Sequence, residues 1–152
     1  MKNLMLALCF LACTHLHAQE TKSFQFRFNH LALSVTNVDR SAEFYQNVLK
    51  LREIVNRSKI EGVRWFQFSD GLELHLISAL KEKVVLNKAV HLALTTSNLE
   101  EFVRTLDSRG IGYSDWPGNP QKINVRADGI KQIFFQDPDG YWLEVNSVIA
   151  TK

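Results

Sequence analysis

Apolar and polar residues alternate through residues 24–35, FQFRFNHLALSV, the pattern of an extended strand. Leu31, Leu33 and Val35 fall on one side, and His30, Ala32 and Ser34 on the other. The period then lengthens. Phe44, Tyr45, Val48 and Leu49 recur at three- and four-residue spacing, which predicts a helix running to about Leu51 with Asp39 as its N-cap. Residues 53–55 and 64–68 read as two further strands that turn near Glu61-Gly62. Asp70-Gly71 then makes a tight turn into a strand over residues 72–77. The order is β-α-β-β-β. Residues 79–88 are charged, carry no period and read as a linker.

After the linker the pattern restarts. Residues 91–96 predict a strand, and Ser97 with Glu100 forms a capping box. The helix it opens has Leu99, Phe102, Val103 and Leu106 as its apolar stripe and ends at Gly110. A short strand near residues 111–114, a Pro/Gly-rich loop over 116–120, and strands over 122–127, 131–136 and 141–148 complete the second unit. The turn Asp137-Pro138-Asp139-Gly140 joins the last two strands. FNHLALSV (residues 28–35) is thus rewritten as VHLALTT (residues 90–96), and the repeat spans two βαβββ modules, about residues 24–79 and 89–149. The expected fold class is α+β. Helices cover the leucine-rich faces, and the opposite faces line a cup-shaped mixed sheet.

Composition narrows the possibilities. A chain of 152 residues suits one ordinary domain, and a net charge of +2, evenly interspersed, gives no nucleic-acid footprint. Residues 1–18 stand apart from the repeat: Lys2, an apolar run over 4–12 and Ala18 before a polar stretch have the layout of a secretory signal peptide. That predicts an exported protein, periplasmic or secreted, with lipid attachment through Cys13 as the alternative, and a single domain over residues 19–152. Apart from this leader no segment is long enough to span a bilayer. Both cysteines, Cys9 and Cys13, and two histidines, His15 and His17, lie in the leader. The mature chain therefore has no thiol for nucleophilic or metal chemistry and keeps three histidines: His30, His75 and His91.

Those three fall on repeat-related strand positions. His30 matches His91. Counted from Asp70-Gly71 and Asp139-Gly140, His75 matches Glu144. All four lie opposite the leucines, where the small residues Ala32, Ser34, Ala93 and Thr95 leave room. A single strand histidine is more often a satisfied polar group than a ligand. Three from three on one repeat and one face point instead to one divalent metal ion bound by His30, His75, His91 and Glu144. Imidazole with carboxylate suits Zn, Ni, Co, Mn or Fe(II). Glu73 shares the face of His75 and is a candidate fourth ligand in its place, an acid behind the ligands, or a general base, with an exposed strand-end carboxylate as the plain alternative. Trp65 and Trp142 line the cup or fill the core. Arg64 and Arg126 meet an anionic substrate or lie as solvated charges.

NHLALSV-TNVDRSAEFYQNVLKL, HLALTTSNLEEFVRTLDSRG and FFQDPDGYWLEVN together resemble the vicinal oxygen chelate superfamily, the glyoxalase/bleomycin-resistance/dioxygenase family, over about residues 27–149. The resemblance implies a glyoxalase-like fold and a divalent ion held by His30, His91 and Glu144. The remaining ligand position varies in the family and falls on His75. It implies a small substrate that chelates the ion through adjacent oxygens. The first expectation is a metal-dependent lyase or isomerase acting on a carbonyl or hydroxy-carbonyl compound, with Glu144 or Glu73 moving the proton. The alternatives are a non-haem Fe(II) extradiol-type dioxygenase and a non-catalytic small-molecule binding (resistance) module. The two modules, closing on each other within one chain or across a homodimer, would bring two ligands from each to a common centre.

Overall fold

The computed structural model describes residues 24–147. The proposed leader, with its cysteines and two of the five histidines, lies outside the described residues, as does Val148 at the end of the last expected strand. The elements are β1 (His30–Val35), α1 (Val38–Asn47), β2 (Arg52–Ile54), β3 (Val63–Gln67) and β4 (Glu73–Ser78), then β5 (His91–Thr95), α2 (Leu99–Ser108), β6 (Asn124–Val125), β7 (Lys131–Gln136) and β8 (Trp142–Asn146). Each module folds into its own four-stranded mixed sheet, in the order β1-β4-β3-β2 and β5-β8-β7-β6. The first strand of each lies parallel to the last, and the other pairs are antiparallel.

The repeat read from the sequence is a repeat of register. Ala32 pairs with His75 in module 1, and Ala93 pairs with Glu144 in module 2, so those two candidates occupy the same place in their sheets. The leucine-rich faces face inward as expected: Leu33, Val35, Leu74, Leu76, Leu143 and Val145 are buried. They belong to one hydrophobic cluster shared by both modules and both helices. Phe135 on β7 meets Phe44 of α1 at 6.3 Å and Phe102 of α2 at 5.6 Å between ring centroids. The modules therefore pack through their helix-bearing sides, and burying aromatic and aliphatic side chains there is the main stabilising term.

Several boundaries differ from expectation, each for a local reason. Helix α1 starts earlier, because Asn37 is the N-cap and its side chain accepts from Arg40 N at 3.0 Å. Asp39 instead sits in the first turn and pairs with Arg64 at 2.9 Å. The helix ends at Asn47 rather than Leu51, since Lys50 adopts a left-handed φ of 57° that turns the chain away. The capping box at Ser97 does not form. Asn98 is the N-cap of α2, and Glu100 is drawn off by Lys131 Nζ on β7 at 2.7 Å. Residues 111–114 form no strand and contribute only bridges from Ser114 to Pro120 and Phe134. The strand expected over 122–127 shrinks to Asn124–Val125.

Candidate metal centre

Strand alternation places His30 and His75 on the face of sheet 1 opposite the core, and His91 and Glu144 on the matching face of sheet 2. Within one chain the candidates thus form two pairs, not one cluster of four. Among the described residues no group of three His, Cys, Asp or Glu side chains is arranged to hold an ion. The cause is the packing: sheets that share a core on their leucine faces must turn their histidine faces away from each other.

The module 2 pair is built like half of a metal centre. His91 Nε2 lies 3.1 Å from Glu144 Oε2, and His91 Nδ1 donates to the Lys88 carbonyl at 2.8 Å. An imidazole whose Nδ1–H is engaged carries its lone pair on Nε2, the nitrogen beside the carboxylate. Glu144 is buried, with Oε1 accepting from Asn146 Nδ2 at 3.3 Å. Phe134 (5.6 Å) and Trp116 (6.5 Å) stand edge-on to the His91 ring. This donor set fits a divalent ion: one oriented imidazole and one anchored carboxylate, a hydrogen-bond length apart, on a half-dry surface.

Module 1 is built differently. His30 is exposed, and its Nδ1 is engaged by Asn29 Oδ1 at 2.6 Å. His75 is buried and stacks between two rings: Trp65 at 4.0 Å and 4°, and His30 at 4.3 Å and 16°. Its Nε2 lies 2.9 Å from Glu73 Oε2, and Arg57 grips both oxygens of that carboxylate at 2.9 and 3.2 Å. The His75 hydrogen bond, and then the Arg57 guanidinium, hold the Glu73 carboxyl below its usual range. A carboxylate so engaged anchors its neighbours and is a poor proton acceptor.

Of the other residues singled out from the sequence, Trp65 lines the module 1 face. Trp142 donates its indole N–H to the Leu86 carbonyl at 3.1 Å and lies beneath the Lys88 ammonium at 5.0 Å. Arg64 is tied to Glu53 and Asp39, and Arg126 to Asp128, so neither reaches a candidate ligand. Lys88 also belongs to this site. Its carbonyl orients His91, while its ammonium donates to Ser114 Oγ (3.0 Å) and the carbonyls of Asp115 (3.0 Å) and Trp116 (3.3 Å). It looked like one more linker charge, and only its place three residues before His91 set it apart.

The architecture of two βαβββ units recurs in solved structures. The oxidase ChaP-H2 superposes with a TM-score of 0.68 at 20% identity over 83% of this chain and 96% of its own. The fosfomycin resistance protein FosX from Mesorhizobium loti superposes with a TM-score of 0.64 at 15% identity over 84% of this chain and 96% of its own. Residues 27–145 match the family model of the Glyoxalase/Bleomycin resistance protein/Dioxygenase superfamily, and the chain belongs to that family. Among curated relatives, glyoxylase I 4 of Arabidopsis thaliana is 29% identical over 125 residues, covering 77% of this chain and 68% of the relative. The metallothiol transferase FosB of Shouchella clausii is 31% identical over 125 residues, covering 78% of each. Among the described residues no helix is long and apolar enough to cross a membrane.

Proposed function

We propose that this chain is a divalent-metal-dependent enzyme of glyoxalase type, a lyase or isomerase for a small carbonyl or hydroxy-carbonyl compound that binds the ion through adjacent oxygens. One observation carries the reading: His91, with Nδ1 anchored on the Lys88 carbonyl, aims Nε2 at the space beside Glu144 Oε2, 3.1 Å away. His30 repeats that wiring in the other module, with Nδ1 on Asn29. Relatives named as a glyoxylase and as a metallothiol transferase support an enzyme of this family.

Because the pairs face away from each other, the working unit is a homodimer in which module 1 of one chain meets module 2 of its partner. Strands β1 and β5 are both sheet edges, with hydrogen-bonding groups available for such a meeting. His30, His91 and Glu144 would hold the ion, which supplies Lewis acidity to polarise a carbonyl. The chain's own part is orientation and proton movement. Asn146 steadies Glu144 at Oε1, leaving Oε2 facing the substrate side to take or return the proton beside that carbonyl. Glu73, occupied by Arg57 and His75, positions instead of transferring. Phe134 and Trp116 keep water from one flank.

A second reading has its own support. Two histidines and one carboxylate are the ligand set of non-haem Fe(II) oxygenases, and His30, His91 and Glu144 supply it. Metal analysis of protein purified without chelator tests both readings. One ion per chain is expected, lost in His91→Ala. Zn, Ni, Co or Mn favours proton transfer, and Fe with oxygen consumption favours oxygenation. A wild-type protein that takes up no stoichiometric ion would overturn the metal reading. Mixing His30→Ala with His91→Ala chains should restore part of the uptake if the site is shared between subunits.

A further inference from the structure

His30 and His91 are wired alike, and His75 is wired the other way. The first two give Nδ1 to a neighbouring oxygen, Asn29 Oδ1 at 2.6 Å and the Lys88 carbonyl at 2.8 Å, so a neutral ring keeps its lone pair on Nε2, which in His91 lies 3.1 Å from Glu144 Oε2, the other candidate ligand of that module. In His75 it is Nε2 that meets an oxygen, Glu73 Oε2 at 2.9 Å. An ionised carboxylate only accepts, so this Nε2 carries the proton and the lone pair sits on Nδ1, in the plane of the ring. That plane lies 16° from parallel to His30, 4.3 Å away between centroids, so the in-plane lone pairs of the two stacked imidazoles run side by side and do not converge on one ion. Glu73 stays ionised because Arg57 holds both its oxygens. The ring cannot easily turn to exchange nitrogens either, since Trp65 lies parallel to it on the β3 side and His30 on the β1 side. Arg57 covers Trp65 in turn, its guanidinium 4.7 Å from the ring centroid.

We propose that His75 is a positioning residue rather than a metal ligand. Locked by Glu73 and stacked on His30, it fixes the plane of the one imidazole that module 1 offers the ion. This rests on the metal-dependent reading above. The ion then has three protein ligands, His30, His91 and Glu144, and adjacent positions remain for both oxygens of a chelating substrate.

The test is metal stoichiometry and affinity for the wild type, His75→Phe, His75→Ala and His91→Ala, together with the visible spectrum of the Co(II) forms. His75→Phe keeps a ring against His30 and Trp65 but has no donor nitrogen. It is expected to bind as many ions per chain as the wild type with an unchanged Co(II) spectrum. His75→Ala, which loses the stack, should keep the stoichiometry while its affinity falls on the order of tenfold, as when a ligand loses its outer support. His91→Ala should lose the ion. If His75→Phe loses it as His91→Ala does, or its Co(II) spectrum shifts while it remains folded, His75 is a ligand and the proposal is wrong. Glu73→Ala reads the lock without touching the ring. Freeing Nε2 should alter the Co(II) spectrum, and an unaltered one would count against the lock. Failure of the wild type to bind any ion is a separate result, which removes the metal reading and this inference with it.

Discussion

The β3–β4 and β7–β8 turns are one piece of structure written twice, and they do different work. Asp139 in the second turn is fully buried. It accepts from Thr36 N (2.8 Å), Thr36 Oγ1 (2.7 Å), Ser41 Oγ (2.5 Å) and Arg40 (3.2 Å), all at the start of α1 in the other module. Its neighbour Asp137 accepts from the buried Tyr45 hydroxyl at 2.8 Å. Asp70, the counterpart of Asp139, is exposed and accepts from Leu72 N within its own turn at 3.1 Å. The helix start explains the contrast. The places of Thr36, Arg40 and Ser41 are filled in module 2 by Ser97, Glu101 and Phe102, which offer an aspartate one hydroxyl, a like charge and a hydrocarbon. The contact therefore closes on one side only. On the other a groove of about 1090 Å³ remains, bordered by Asp70, Leu72, Ser97 and Phe102. The fold repeats, and the residues at one helix start set which way the halves lock together.

Removing each aspartate in turn should give very different losses. Asp139→Ala strips the acceptor from two buried or half-buried hydroxyls and a backbone N–H. At roughly 1 kcal/mol or more for each orphaned donor, with Arg40 free to return to water, about 3 kcal/mol should be lost. Asp70→Ala should stay within about 0.5 kcal/mol. Urea unfolding of the two variants checks the pair, and equal losses would mean that Asp139 is not the latch. The acid side carries the same signature. Burial pushes the Asp139 carboxyl up, but the Ser41 and Thr36 hydrogen bonds and the Arg40 charge outweigh it, leaving it below its usual range. A group depressed in the folded state adds stability above its unfolded pKa and loses it as pH falls through the folded one. Asp137 runs the opposite way, since burial outweighs its hydrogen bonds and raises it. The Asp139→Asn variant should therefore lose less of its remaining stability than the wild type as pH drops below about 4, the ordinary carboxylate range.

The glycines beside these aspartates sharpen the contrast by a smaller amount. Both take a left-handed backbone, φ 90° at Gly71 and 94° at Gly140. An added methyl costs each about 1 kcal/mol for that reason alone. At Gly71 it would meet nothing, whereas at Gly140 it would fall 2.4 Å from the Val84 carbonyl oxygen in the linker. Val84 also donates its N–H to the Asp139 carbonyl at 2.9 Å, so relief by moving the linker breaks a bond. Gly140→Ala should be the more destabilising by at least about 1 kcal/mol, read from the same unfolding curves. Equal costs would show that the linker yields freely.

Much of this was legible in the chain. Alternation in HLALSV and HLALTT set both the strands and the outward side of His30 and His91, and counting from the Asp-Gly turns put His75 and Glu144 in the register the sheets adopt. What could not be read was which way the modules pack. Leucine faces say only that they want covering, and the choice of cover rests on Asp137 and Asp139 reaching Tyr45, Ser41 and Thr36, about a hundred positions away in sequence. Ligand wiring was equally hidden. That Glu73 closes on His75, and Lys88 on His91, depends on side-chain directions that a period of two does not encode.

The smallest contrast tests a place where the sequence offers no distinction at all. Asn37 and Asn98 occupy the same position in the repeat, and each is the N-cap of its helix. Their chemistry differs through one dihedral. Asn37 sits at φ −145°, ψ 110°, the extended geometry in which a capping side chain folds back, and it accepts from Arg40 N at 3.0 Å. Asn98 sits at φ −125°, ψ 50°, and its side chain makes no capping bond. Its own N–H instead donates to Thr96 Oγ1 at 3.1 Å, a local turn that holds the chain in the other conformation. Asn37→Ala should therefore cost about 1 kcal/mol, the usual value of a lost cap, and Asn98→Ala only about 0.3 kcal/mol. The gap is near the resolution of a denaturant titration, so it is best read as a difference in midpoint at a common slope. A cost at Asn98 equal to that at Asn37 would mean that both helices are capped alike in solution. In that case the asymmetry of the two modules begins at the turns and not at the helix starts.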